Sequence, residues 1–306
     1  YSDNTEFSIS SRGTGFVTYV DGVQRDLFAI DPEMIESVSI QKDALSNMFM
    51  GMKSSRNALV ITTKNPKSRG FQVSFTAKMG INSSIKKLKP LSTYQYAYLL
   101  NEALQNDGKT PIYSYDDFEK FRSGSSQYTH PDVNWYDQIL GDNAISQSYN
   151  INVSGGNNFA QYFVSAGMYG DNGLFRDNND KYKTKLTLNR YSIDSKVNIN
   201  VTQDFTAKIA LLARIEEGNQ PGGSGTGYSD ILLNIYRTPN NAYPIKNPSG
   251  TWGGNVSFNN NLYSQAFNSG YIIDDTRDIL GSIDLKYDFD RVAKGLSVRA
   301  LGTIAV

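Results

Sequence analysis

The sequence predicts a mostly β membrane protein: an antiparallel outer-membrane β-barrel, present as about seven strands, preceded by part of a small α/β domain. Three observations carry this prediction. From Phe71 onward, apolar residues recur at every second position over several long segments, the period of a strand with one apolar and one wet side. The connections between those segments alternate between tight turns and long loops. Ahead of Phe71 lies a densely punctuated stretch in which helix caps and β-branched strand signals follow one another closely.

Taken in order, Tyr1 to Thr18 is polar and rich in Ser and Gly, and Phe16 to Val20 reads as a strand ending at an Asp21-Gly22 turn. Asp31 is placed to cap a short helix whose first residue is Pro32. Ser37 to Gln41 alternates, with Val38 and Ile40 on one face. A second helix is expected from Lys42 to Met50, stopped by Gly51, which tolerates a left-handed cap. Asn57 to Lys64 is a strand rich in β-branched residues, and Pro66 to Gly70 is a solvated linker.

The order of VDGVQRD (Val20 to Asp26), DPEMIESVSIQKDA (Asp31 to Ala44), Gly51 and LVITTK (Leu59 to Lys64) resembles the plug domain of the SusC/RagA-type TonB-linked outer-membrane transporters. The resemblance implies that residues 1–70 are the C-terminal part of a plug and residues 71–306 the N-terminal part of its barrel. It also implies a structural role in the plug for Asp21, Gly22, Pro32, Ile35, Glu36, Lys42, Asp43, Gly51, Thr62, Thr63 and Lys64. Two positions depart from the family: Met50 stands where an aromatic residue is usual, and Asn57-Ala58 where Asn-Gly is usual.

The first barrel strand puts Phe71, Val73, Phe75, Ala77, Met79 and Ile81 on one face. The second runs from about Ile145 to Ser154, and a GGNN turn (Gly155 to Asn158) leads into a third, Phe159 to Tyr169. Lys181 to Val201 holds a long fourth strand, and Thr202-Gln203-Asp204 turns it into Phe205 to Ile215. Thr276 to Phe289 and Leu296 to Val306 are the sixth and seventh. Long loops are expected at 86–144 and 216–275, a medium one near Gly170 to Asp180, and short turns elsewhere. Short turns on one side and long loops on the other are the mark of an outer-membrane barrel. A Greek-key sandwich has no reason to alternate so strictly. Phe71, Phe205 and Phe289 fall at short-turn ends, where an aromatic girdle would sit. Barrels of this kind have even strand numbers, about 22 in the large plugged ones, so this stretch is expected to belong to a longer chain.

Composition permits this reading. Thirty Lys and Arg balance thirty Asp and Glu, which gives no argument for nucleic acid. There is no Cys, which excludes disulfides and thiolate metal sites; the single His130 excludes a multi-His site, and no cofactor is implied. No run of about 18 apolar residues is present. The mean hydropathy of −0.45 does not test for a barrel, in which only alternate residues meet lipid. No signal peptide opens the sequence, so an export signal is expected upstream of Tyr1.

Nothing points to an enzyme. Asp116-Asp117 and Glu216-Glu217 are adjacent carboxylates that would point apart on a helix. Gly222 to Gly227 lacks the Lys-Ser/Thr of a phosphate-binding loop, and Asp171 to Asp180 lacks calcium-loop spacing. A flexible loop tip and a solvated turn are the simpler readings. The first long loop carries helical patterns at Ser92 to Gly108 and Tyr113 to Gly124, then VNWYDQIL. Trp135, Tyr136 and Trp252 are candidates for contact with a ligand or a partner lid, or for packing within the loops. The resemblance implies TonB-dependent import of an oligosaccharide or peptide, with a SusD-like surface lipoprotein as lid, TonB and outer-membrane lipid as further partners, and a homodimer or larger complex as an open question. The alternative keeps the fold and makes the chain a structural subunit of an outer-membrane assembly or secretion complex. A third class is a secreted soluble β-protein that binds carbohydrate.

Overall fold

The computed structural model describes residues 10–11, 14–25, 30–41, 57–67, 70–85, 87, 89–178, 181–223 and 228–306. β1 (Ser10–Ser11) and β2 (Thr14–Gly15) form a minimal pair. β3 (Val17–Val20), β4 (Val23–Gln24), β5 (Ile35–Gln41) and β6 (Ala58–Thr63) make a four-stranded sheet in the order β4-β3-β6-β5. Asp21 and Gly22 join β3 to β4 with φ of 48° and 85°. Positive φ at both central positions is what a type I′ two-residue hairpin turn requires, and Asp-Gly is among the few pairs that accept it. Asp31 caps a 3-10 turn, Pro32–Met34, by accepting the Glu33 amide at 2.9 Å. That turn closes at Ile35, so β5 starts earlier than the Ser37 expected from alternation. Val38 and Ile40 share a face as expected, and both are exposed. The expected helix at 42–50, with Lys42, Asp43 and the stop at Gly51, lies outside the described residues.

The remaining strands are β7 (Gln72–Ser83), β8 (Asn143–Gly156), β9 (Ala160–Asn172), β10 (Thr187–Asn200), β11 (Phe205–Pro221), β12 (Tyr271–Asp288) and β13 (Ser297–Ala305). They form one antiparallel seven-stranded sheet in sequence order. The sheet is open, with β7 and β13 at its edges. Its faces invert the rule for soluble proteins. Phe75 and Met79 are 67% and 70% exposed, and Ile193 and Ile283 are exposed beside them on the outer face. Asn150, Ser165, Ser192, Asp194 and Lys196 are buried on the inner face. An apolar exterior around a polar interior is what a barrel in lipid needs. A two-layer sandwich would bury the apolar side instead.

The strands differ from the sequence expectation mainly at their loop ends. β11 continues past Ile215 to Pro221, and β12 begins at Tyr271 rather than Thr276. Apolar alternation stops there, but the ladder does not. Glu216 and Gly218 pair with Thr276 and Asp274, and Arg190–Glu216 (2.7 Å) and Arg214–Asp278 (2.5 Å) link inward side chains across strands. Polar cross-strand pairs thus carry the sheet beyond its apolar band, and the long connection shortens to 222–270. β10 starts at Thr187, later than Lys181, because Leu186 leaves the sheet to join the loop core.

Among the described residues, five helices lie in the long connections: α1 (Thr93–Asn106), α2 (Tyr115–Ser123), α3 (Trp135–Ile139), α4 (Tyr228–Arg237) and α5 (Leu262–Phe267). α1 and α2 each open with a full capping box, Ser92/Gln95 and Ser114/Asp117. Gly124 ends α2 at φ 61°. Among the described residues, no helix is long and apolar enough to cross a membrane.

Candidate functional site

The small sheet is seated on the inner face of the seven-stranded sheet, and the contact centres on Asp21. The hairpin turn aims this carboxylate at the end of β6. There it accepts the Thr63 amide at 3.0 Å and the Thr63 hydroxyl at 2.5 Å. It also accepts the Lys196 ammonium, from β10, at 2.9 Å. Lys196 donates to the Thr63 hydroxyl as well, so three residues far apart in sequence close one triangle. Thr63 and Lys196 are buried. Burial pushes the Asp21 carboxyl up, but the Lys196 charge and the Thr63 hydrogen bonds outweigh it and hold Asp21 below the usual carboxylate range.

A second fastening uses Asp31. While one oxygen caps the 3-10 turn, the other accepts from the Ser192 hydroxyl of β10 at 3.5 Å. The approach is possible because β9 carries Gly167 there: a Cβ at that position would lie 2.5 Å from Asp31 Oδ2 and 2.8 Å from Ser192 Oγ. Glycine inside a strand commonly marks such a close approach. A third fastening is an ion pair between Glu33 and Lys78 of β7. Among the described residues, apolar contact gathers in a cluster in which Val20, Ile30, Met34, Leu59 and Ile61 meet Leu212 of β11 and Leu280 of β12. Between the two sheets remains a cavity of about 150 Å³ whose walls include Asp21, Arg25, Asp194 and Lys196.

The motif residues fall around this interface. Gly22 completes the turn; Pro32 opens the 3-10 turn; Ile35 packs against the cluster. Glu36 pairs with Lys67 at 3.2 Å, Thr62 pairs with Ser37 across β5, and the Lys64 amide donates to Met34 O at 2.8 Å. Lys196, Ser192 and Gly167 were not singled out from sequence. A polar residue on the wet face of a strand looks the same whether or not a partner meets it.

The aromatic loop candidates lie at the other end of the strands. Trp135 is 1% exposed and Tyr136 is buried, in a core that also takes Phe175, Ile231, Ile235, Tyr243, Leu262 and Phe267. The Trp135 indole donates to Pro239 O at 3.3 Å, and its ring meets Tyr243 at 4.8 Å. These two residues thus spend their surface in packing. Trp252 is half-buried, near Tyr263 (6.0 Å) with the Lys246 ammonium over its ring (5.0 Å). Asp132 ties the first loop to the third: it accepts from Thr93 Oγ1 at 3.0 Å and from Asn240 Nδ2 at 2.9 Å. Beside this core is a cavity of about 300 Å³ bordered by Tyr96, Tyr136, Tyr236, Arg237 and Phe258.

Comparison with known proteins places this geometry. No family model matches the chain. It is 24% identical over 188 residues to the TonB-dependent receptor SusC of Bacteroides thetaiotaomicron, an alignment covering 61% of this chain and 17% of that protein. It is 23% identical over 213 residues to the TonB-dependent receptor P3 of Formosa agariphila, covering 67% of this chain and 18% of that protein. The chain therefore spans under a fifth of the length of these relatives. Among solved structures, the RagAB peptide transporter superposes with a TM-score of 0.68 at 15% identity, over 95% of this chain and 34% of that one. RagAB in its closed-closed state gives 0.66 at 17% identity with the same coverage. The similarity to SusC/RagA-type TonB-linked transporters is thus present in sequence and in fold, and the seven strands fit part of an antiparallel barrel.

Proposed function

We propose that this chain contributes to TonB-dependent import of a large nutrient, an oligosaccharide or a peptide, across the outer membrane together with a SusD-like surface lipoprotein. The observation that carries the reading is the seat of the plug. It is held to the barrel wall by Asp21–Lys196, Asp31–Ser192 and Glu33–Lys78 around a modest apolar cluster. Polar joints of this kind resemble a transient interface more than a domain core. A plug that must leave its seat under a pull needs such a joint. The outward apolar face supports a lipid-facing barrel. Leu91, Tyr98 and Leu99, exposed on and beside α1, offer the partner lipoprotein an apolar contact at the loop end.

The test uses a background in which any cysteine outside these 306 residues has been replaced; none lies within them. A Cβ at Gly167 comes within reach of the Asp31 side chain, so Asp31→Cys with Gly167→Cys can bridge the plug to β9. In the full-length protein in its own membrane, oxidation should stop uptake of the nutrient and reduction should restore it. Uptake indifferent to the bridge would overturn the plug-movement reading. Lack of any nutrient uptake, combined with impaired display of surface proteins, would favour the structural-subunit alternative.

A further inference from the structure

The seat of the plug holds more charge than its hydrogen bonds use. Arg25 follows the hairpin, its amide fixed to Thr18 O at 3.0 Å, and the charges of Asp21 and Asp194 both act on its guanidinium. Asp194 is the inward neighbour of Lys196 on β10 and is 2% exposed. Among the described residues, Asp194 Oδ2 and Arg25 Nε are buried with no hydrogen-bond partner. The plug therefore brings one acid and one base, Asp21 and Arg25. The wall brings the same, Asp194 and Lys196. At rest the bonded pair crosses between them, Lys196 to Asp21 at 2.9 Å. Of the other ionic groups of this cavity, Arg299 and Asp284 bond each other at 2.7 and 2.8 Å, and Lys208 lines the same wall.

We propose that these four residues are a partner-exchange latch. When the plug leaves the wall, Lys196 passes from Asp21 to Asp194, and Arg25, already under the charge of Asp21, becomes the counter-ion of the freed Asp21. The proposal rests on the importer reading, in which the plug moves. Positions two apart on a strand face lie about 7 Å apart at Cα, within reach of a lysine stem. Within the quartet each side carries one acid and one base, so separation leaves each of the four a counter-ion on its own side. Without Asp194, withdrawing Asp21 would leave the Lys196 ammonium in a cleft with no counter-ion, which is the costly way to break a buried pair.

The experiment pulls the full-length protein, in a lipid bilayer, from its N-terminal segment and reads plug-release rate at fixed load. Asp194→Asn keeps the side-chain shape and the resting Lys196–Asp21 bond. It should slow release about tenfold, a fraction of the full cost of stranding a buried charge because water enters the opened cleft, with resting conductance unchanged. In a Lys196→Met background the same substitution should have no effect, since no ammonium needs a new partner. Should the amide fail to fold, Asp194→Ser is compared across the same two backgrounds. Release as fast as wild type in Asp194→Asn, or equal slowing with and without Lys196, overturns the latch. Pulling needs neither nutrient nor TonB. A failed latch with intact uptake leaves the importer reading standing; an intact latch without uptake removes that reading alone.

Discussion

Two structures cover the same seven strands, and they are attached by opposite chemistry. At one end the loops close over α3, α4 and α5 with a core of aromatic and aliphatic side chains from several connections. Deeper in the concavity the plug is tied down by Asp21, Asp31 and Glu33, with Leu212 and Leu280 as the wall's apolar contribution. An apolar core loses most when it opens, because all its surface returns to water. An ionic joint exchanges its partners for water and for each other, and its net worth is small beside the cost of stranding one member. The loop cap is therefore the harder of the two to open, and the small sheet, which the importer reading takes as the plug, the easier to release.

The largest expected effect lies in the cap. Trp135→Ala removes a fully buried indole and should cost about 3–5 kcal/mol. Thermal unfolding in detergent, with limited proteolysis of residues 222–270, reads it, and amide exchange in β3 and β6 should not change. Next comes the plug. Asp21→Asn leaves Lys196 facing an uncharged partner and should loosen the seat by about 2 kcal/mol. Faster hydrogen exchange in β3 and β6, with the cap unaltered, is the expected readout; equal loosening of both regions would dissolve the distinction. Gly167→Val intrudes on Asp31 and Ser192 and should cost about 1–3 kcal/mol. A matching Asp31→Ala change should recover part of it.

The smallest effect separates the two regions by pH. Asp21 titrates below its ordinary value of 3.8 in the folded protein. Its contribution is fully present above that ordinary value and is lost as pH falls through the depressed one. Acidification from pH 5 toward pH 2 should thus release the plug while the cap, whose core is packed from aliphatic and aromatic side chains, keeps its Trp135 fluorescence. Cap and plug opening together along that titration would contradict the contrast.

Much of this was legible in the residues. The strands announced themselves because lipid and water impose a strict two-residue alternation, as in Phe71 to Ile81. Asp21-Gly22 announced a turn because few pairs accept positive φ twice. The seat was not legible. Lys196 lies 175 positions from Asp21 in the chain, and on a wet face it reads like any solvated lysine. Gly167 carried the one available signal, a glycine inside a strand otherwise well patterned. Trp135 drew notice for its surface, whereas its environment is set by α4 and α5, which alternation cannot place. The ends of β11 and β12 were missed because their last pairs are polar and leave no hydrophobic period.

The composition of the cap has a consequence for biogenesis. Its core draws on α3, on Phe175 and Leu186 between β9 and β10, and on Tyr243, α4 and α5 beyond β11. Until the polypeptide through Phe267 has been delivered, the indole of Trp135 has neither Pro239 nor Tyr243 to meet. Hairpins formed before it must wait with those rings bare, and bare rings invite aggregation. The assembling protein thus passes through a vulnerable interval whose length is set by how quickly β11 and the stretch after it arrive.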